Sequence, residues 1–212
     1  MRWIPHASPA GPRTIARVDP PMDRSDLSCP HSSDKNVPIE SKPRLSIIIP
    51  TLNEQRSVVG AIGSARTCPD VEIIVVDGGS TDATRKLAAD HDVKVIQCKP
   101  GRARQLSCGA NAARSDVLLF LHADTRLPRN YASEVFRVLS KPDCIAGAFR
   151  LTFDHRNVSL RLIEWGANSR STWRQMPYGD QAIFLCSETY RRLGGFRPMD
   201  AMEDFDLVRR LR

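Results

Sequence analysis

The feature that most constrains this chain is an alternation. Short, β-branched apolar runs recur at Leu45–Pro50, Val71–Val76, Val93–Gln97 and Val117–Leu121, each followed by a polar turn and a stretch with helical spacing. A continuous apolar run of this length suits a strand buried on both faces. Such runs separated by helices are the pattern of βαβ units. The expectation is an α/β fold in a single domain: a Rossmann-like, mostly parallel sheet flanked by helices on both faces.

The same reading places helices near 54–67, after the Asp77–Asp82 turn, over 102–114, and from Pro128 to about Leu139. Ser80 and Thr81 are expected to cap the second of these, with Asp82 favourable at its positive start. Further strands are expected over 145–151 and 181–186, and helices over 187–193 and from near Met202. Between Asn157 and Tyr178 an amphipathic helix carrying Leu160, Ile163 and Trp165 is expected, followed by a loop. Residues 1–44 hold eight of the fifteen prolines and no sustained periodicity. They read as a disordered extension ahead of a folded domain over 45–212.

Composition sets outer limits. With 41% hydrophobic residues in 212, the chain can bury one good core. No apolar run approaches the roughly 20 residues that span a bilayer, and the N-terminus lacks a signal-type apolar segment. The expected location is cytoplasmic, with any membrane contact peripheral, on the inner face. The formal net charge of +7 favours anionic partners: nucleic acid, acidic headgroups or a phosphorylated small molecule. Nucleic acid is the weakest of these, because aromatic–basic interleaving and a zinc module are both missing. The cysteines Cys29, Cys68, Cys98, Cys108, Cys144 and Cys186 show neither C-x-x-C pairing nor a zinc spacing with histidine. They read as small core hydrophobes in a reducing compartment.

In an open α/β sheet, ligands bind beyond the carboxyl ends of the strands. The residues just after the four runs are therefore the candidates. The first run delivers Thr51, Asn53 and Glu54, the second Asp77 and the Gly78–Gly79 turn, and the fourth His122 and Asp124. Asp77 can accept hydrogen bonds from a ribose or a base, or simply cap its own turn. Gly78–Gly79 can let the backbone approach a phosphate. Asp124 is the candidate ligand for Mg²⁺ or Mn²⁺, cations that bridge diphosphate oxygens, with His122 as a second contact. Gly101, Arg102 and Arg104 at a helix start form a candidate anion site. Glu203, Asp204 and Asp206 either complement a helix dipole or supply a general base for a sugar hydroxyl.

Taken together these residues resemble the family 2 glycosyltransferases with the GT-A fold. The resemblance rests on Ser46–Glu54, Val75–Asp82, Leu119–Asp124, Gly179-Asp180-Gln181 and Met202-Glu203-Asp204, in that order along residues 45–212. Gly101–Gln105 and the His122–Thr125 version of the metal motif look like a bacterial subgroup of small, single-domain members. The resemblance implies that Pro50, Glu54 and Asp77 line a nucleotide pocket. It implies that Asp124 stands where the last acid of D-x-D binds a divalent cation and diphosphate, and that Asp204 is the catalytic base. Asp180 and Gln181, with Glu203, would shape the acceptor or sugar pocket.

The implied reaction is an inverting transfer from a UDP- or GDP-type sugar. The first acid of D-x-D is replaced by His122, which affects metal affinity or identity. Q-x-x-R-W is absent, so a non-processive enzyme is expected. Members usually continue past the Glu-Asp helix, so a C-terminal truncation is expected too. The basic charge and the Leu160–Trp173 stretch suit a lipid acceptor at a membrane surface. Two alternatives stay open: a non-catalytic nucleotide-sugar binder or inactive truncated homologue, and a sugar-phosphate nucleotidyltransferase. The last is weakened because Thr51–Glu54 stands where a glycine-rich loop is wanted.

Overall fold

The computed structural model describes residues 14–18, 42–141, 144–149, 182–199 and 201–211. Seven strands form one sheet: β1 (Thr14–Val18), β2 (Leu45–Thr51), β3 (Val71–Asp77), β4 (Lys94–Gln97), β5 (Val117–Phe120), β6 (Cys144–Phe149) and β7 (Ile183–Cys186). Their spatial order is β1-β6-β7-β5-β2-β3-β4. β7 runs antiparallel to both its neighbours, and every other pairing is parallel. The expected mostly parallel sheet is therefore present.

The described helices are α1 (Val58–Ala65), α2 (Thr84–Ala89), α3 (Arg102–Ala112), α4 (Tyr131–Leu139), α5 (Ser187–Arg192) and α6 (Glu203–Leu211). They lie on both faces. Ile47 and Ile49 of β2 turn to one side, where they meet Val58, Ile62, Ala88, Tyr131 and Val135 of α1, α2 and α4. Ile48, pointing the other way, joins Leu106, Ala110, Tyr190, Leu207 and Leu211 of α3, α5 and α6. This two-sided burial explains why β2 and β3 read as unbroken apolar runs rather than alternating ones. Each fully buried Ile or Leu contributes about 1.5–3 kcal/mol. Gly109 lets α3 approach closely: a β-carbon there would sit 2.3 Å from Ile48 Cγ2.

Several elements differ from expectation. α1 begins at Val58 rather than near residue 54. Asn53 takes a left-handed backbone (φ 58°), and Glu54 N and Gln55 N donate to Thr84 and Asp82 side chains instead of starting a helix. Ser80 and Thr81 do not cap α2; Ala83 is its N-cap. Ser80 and Thr81 instead bind Asn53 across the loops. α3 stops at Ala112 because Arg114 N is drawn to the Glu72 carboxylate. Within the extension expected over 1–44, Thr14–Val18 is an edge strand paired with β6. Its Thr-Ile-Ala-Arg-Val sequence has the β-branched content of a strand. The amphipathic helix expected over 157–178 lies outside the described residues.

Candidate functional site

β4, β3, β2 and β5 lie side by side in parallel, so the chain order reverses between β2 and β5. Such a reversal opens a crevice beyond the carboxyl ends of the strands. β2 and β3 end in register, Thr51 opposite Asp77. Their outgoing loops are joined side to side. Asn53 Oδ1 accepts from Thr81 N at 2.9 Å, Asn53 N donates to Ser80 Oγ at 2.9 Å, and Glu54 N donates to Thr84 Oγ1 at 2.7 Å. Asn53 is thus a loop fastener, exposed at the surface. Pro50 and Glu54 are half-buried at the same edge, and Glu54 accepts from Ser57 Oγ.

Asp77 is fully buried. Its Oδ2 accepts from Gly79 N and Ser80 N, both at 3.0 Å, so it does cap its own turn. Its Oδ1 has no partner among the described residues. A buried acceptor left empty costs about 1–3 kcal/mol. An incoming donor group that filled this position would recover that cost. Gly78 N meanwhile donates to Thr51 O at 2.9 Å.

The β5 end and two helix starts supply the other charges. His122 is half-buried and Asp124 is exposed, in a turn closed by Thr125 N donating to His122 O. Burial pushes the His122 pKa below its ordinary 6.5, and the Arg102 charge pushes the same way. Asp124 and Asp204 oppose them. These charges show that the β5 end, the α3 start and the α6 start face one another. Arg102 Nε stands 3.5 Å from Glu203 Oε1, an oxygen that accepts no hydrogen bond among the described residues. Asp204 is buried, and its Oδ1 accepts from Phe205 N at 2.7 Å. Arg104 turns away, donating to Pro100 O.

Beneath this edge the aromatic rings of Phe120, Tyr190 and Phe196 pack together, with centroids 4.9–5.7 Å apart. They fix the end of β5 just before His122. Asp206 binds Arg210 at 2.7 Å, and so serves α6 itself.

The structure therefore brings together Thr51, Asp77, His122, Asp124, Arg102, Glu203 and Asp204 at one edge. Asp180 and Gln181 lie outside the described residues. Sequence reasoning missed Gln105. This buried side chain donates from Nε2 to Thr51 O and Val76 O, each at 2.8 Å, and pins the two strand ends. A β-carbon on Gly78 would meet it at 3.0 Å. A lone amide on a predicted helix gave no signal beyond its place in the Gly101–Gln105 turn.

Among the described residues, no group of three or more His, Cys, Asp or Glu side chains could enclose a metal. The available donors are one exposed carboxylate, Asp124, and the imidazole of His122, whose pKa burial lowers. That set fits an open site completed by substrate phosphates, the habit of Mg²⁺ and Mn²⁺, rather than a protein cage.

The family model described as "Glycosyl transferase family 2" matches residues 46–201. An uncharacterized glycosyltransferase of Nostoc sp. is 31% identical over 111 residues, 48% of this chain and 34% of that protein. The 4,4'-diaponeurosporenoate glycosyltransferase of Staphylococcus haemolyticus is 30% identical over 112 residues, 49% of this chain and 30% of that protein. The matches thus span about a third of the length of these relatives. The solved structure of S. aureus TarS 1–349 superposes with a TM-score of 0.63 at 17% identity, covering 79% of this chain and 55% of that one. The mannosyltransferase PcManGT of Pyrobaculum calidifontis, solved with GDP-Man and Mn²⁺, gives 0.61 at 21% identity over 79% and 51%. At such identities the likeness shows the fold, which is the GT-A arrangement.

Proposed function

This chain belongs to the family 2 glycosyltransferases, and we propose that it transfers a sugar from a UDP- or GDP-type nucleotide sugar to an acceptor, with inversion and without processivity. The observation that carries the reading is the half-satisfied carboxylate of Asp77 at the sheet's switch point. Its empty Oδ1 accepts from the nucleoside, at the base or the ribose. Pro50, Thr51, Asn53 and Glu54 form the neighbouring wall, and Gly78 keeps the turn low. Arg102 at the start of α3 takes diphosphate charge.

Asp124, with His122 beside it, would hold a divalent cation, Mg²⁺ or Mn²⁺, next to the diphosphate. When bound, that cation offsets negative charge on the leaving group. The acceptor oxygen attacks the anomeric carbon while the bond from that carbon to the diphosphate oxygen breaks. Asp204 accepts the proton released by a hydroxyl acceptor. Glu203, beside Arg102, faces the sugar, and Asp180 and Gln181 complete the acceptor side.

A lipid-linked acceptor at the inner membrane surface suits the charge of +7. The relative named for 4,4'-diaponeurosporenoate supports the same choice. Among the described residues no helix is long and apolar enough to cross a membrane; contact with the membrane surface is the mode proposed.

The test is transfer from radiolabelled UDP- and GDP-sugars to a panel of polyprenyl phosphates and lipid acids, with and without Mn²⁺, for the native chain and Asp124→Ala. Metal-dependent transfer lost in the variant supports the reading. Nucleotide-sugar binding without transfer to any acceptor would replace it with a non-catalytic binder.

A further inference from the structure

Two half-buried thiols meet behind the strand end that carries Asp77. Cys98 follows β4, and its N–H donates to Asp77 O at 2.9 Å. Cys108 lies in α3, and its Sγ is 3.0 Å from Cys98 Sγ. Both pack against the apolar cluster that holds Ile48 and Val76. Their backbones are held in place independently, Cys98 by the Asp77 carbonyl and α3 by the close approach of Gly109 to Ile48. A disulfide needs about 2.05 Å between sulfurs, so closure asks for about 1 Å of movement. The ring it would close contains Gly101, held at φ 130°, Arg102 and Gln105.

We propose that Cys98 and Cys108 form a redox-active dithiol whose closure to a disulfide locks the turn between β4 and α3. With a low-molecular-weight disulfide such as oxidised glutathione as oxidant, the Cys108 thiolate attacks one glutathione sulfur and expels the other glutathione as a thiolate. The Cys98 sulfur, giving up its proton to solvent, then attacks Cys108 Sγ and expels the second. One protein disulfide forms, and one oxidised glutathione becomes two reduced molecules. Burial, and then the contact with Cys108, pushes the Cys98 thiol up to about 11.

This inference concerns the thiols and stands apart from the donor-site reading. The test uses the full chain, reduced and then incubated in glutathione buffers of rising potential, alkylated and digested with trypsin. Trypsin leaves the Lys99–Pro100 bond intact, so the two thiols fall in separate peptides, 95–102 and 105–114. The expected result is a disulfide-linked pair of these peptides that disappears on reduction. The melting temperature should rise by several degrees on oxidation, since a short ring is closed. Cys98→Ser and Cys108→Ser should each abolish both changes.

Persistent glutathione adducts on either cysteine would overturn the proposal. So would pairing with Cys68, Cys144 or Cys186, or full alkylation of both thiols after oxidation. Failure of the reduced chain to bind any nucleotide would sink the donor-site reading and leave the peptide result standing.

Discussion

β3 carries a buried carboxylate at each end, and the two are opposites. At the amino end, Glu72 is satisfied on every side. Ser46 Oγ donates at 2.7 Å, Arg114 N at 2.9 Å and Arg114 Nε at 3.1 Å, and Ser115 joins through Ser46. At the carboxyl end, Asp77 keeps one oxygen empty. Burial raises the Glu72 pKa, but these hydrogen bonds outweigh it and hold the carboxyl below its ordinary 4.5. One sheet thus uses the same chemical group as a structural tie at one end and as an open acceptor at the other.

Cavity volume would point the wrong way. A cavity of about 730 Å³ lies at the amino end. Its cations are engaged: Lys42 with Asp116, Arg66 with Asp92 O, Lys94 with Ala112 O and Arg114 with Glu72. The carboxyl edge holds two of the buried oxygens without a partner among the described residues, Asp77 Oδ1 and Glu203 Oε1. Unsatisfied groups are the better guide, because they are what a ligand can repay.

The contrast can be broken or sharpened by experiment, beginning with the largest effect. Asp204→Asn should lower kcat by about 10²–10⁴-fold while leaving the KM for donor nearly unchanged, as expected of a lost general base. Steady-state kinetics reads both numbers. Asp77→Ala should weaken nucleotide binding about 10- to 100-fold, the worth of hydrogen bonds to a charged acceptor. Its effect on melting temperature should be small, because the empty oxygen leaves with the cap. Glu72→Ala should do the reverse, costing about 1–3 kcal/mol of stability, read by urea unfolding, with nucleotide binding intact.

The smallest effect is in pH. His122 binds its proton less readily folded than unfolded. Its contribution to stability is full above pH 6.5 and is lost as pH falls through its lower folded value. Glu72, also depressed, contributes above pH 4.5 and is lost as pH falls further. Urea unfolding across pH 3–8 should therefore show His122→Gln flattening the upper part of the curve and Glu72→Gln the lower part.

The strands of this sheet were legible because burial on both faces forces continuous apolar runs, as at Ile47–Ile49 and Ile73–Val76. The strand-end rule likewise singled out Asp77, His122 and Asp124, which stand at or just beyond the carboxyl ends of β3 and β5. Helix starts were read less well. Ser80 and Thr81 have the chemistry of caps, yet Ser80 Oγ accepts from Asn53 N and Thr81 N donates to Asn53 Oδ1, across two loops that are distant in sequence. Gln105 escaped for the same reason: its partners are carbonyls on β2 and β3, and no local pattern marks such a contact. β1 was hidden in a proline-rich stretch, within which Thr14–Val18 is the described strand.

The most direct test of the central claim is calorimetric titration of the full chain with UDP and GDP in the presence of Mn²⁺, repeated on Asp77→Ala and Glu72→Gln. The account predicts that one nucleotide binds the native chain and Glu72→Gln alike, and that Asp77→Ala loses most of that affinity while remaining folded. Equal binding by native chain and Asp77→Ala, or loss of binding in a folded Glu72→Gln, would contradict it.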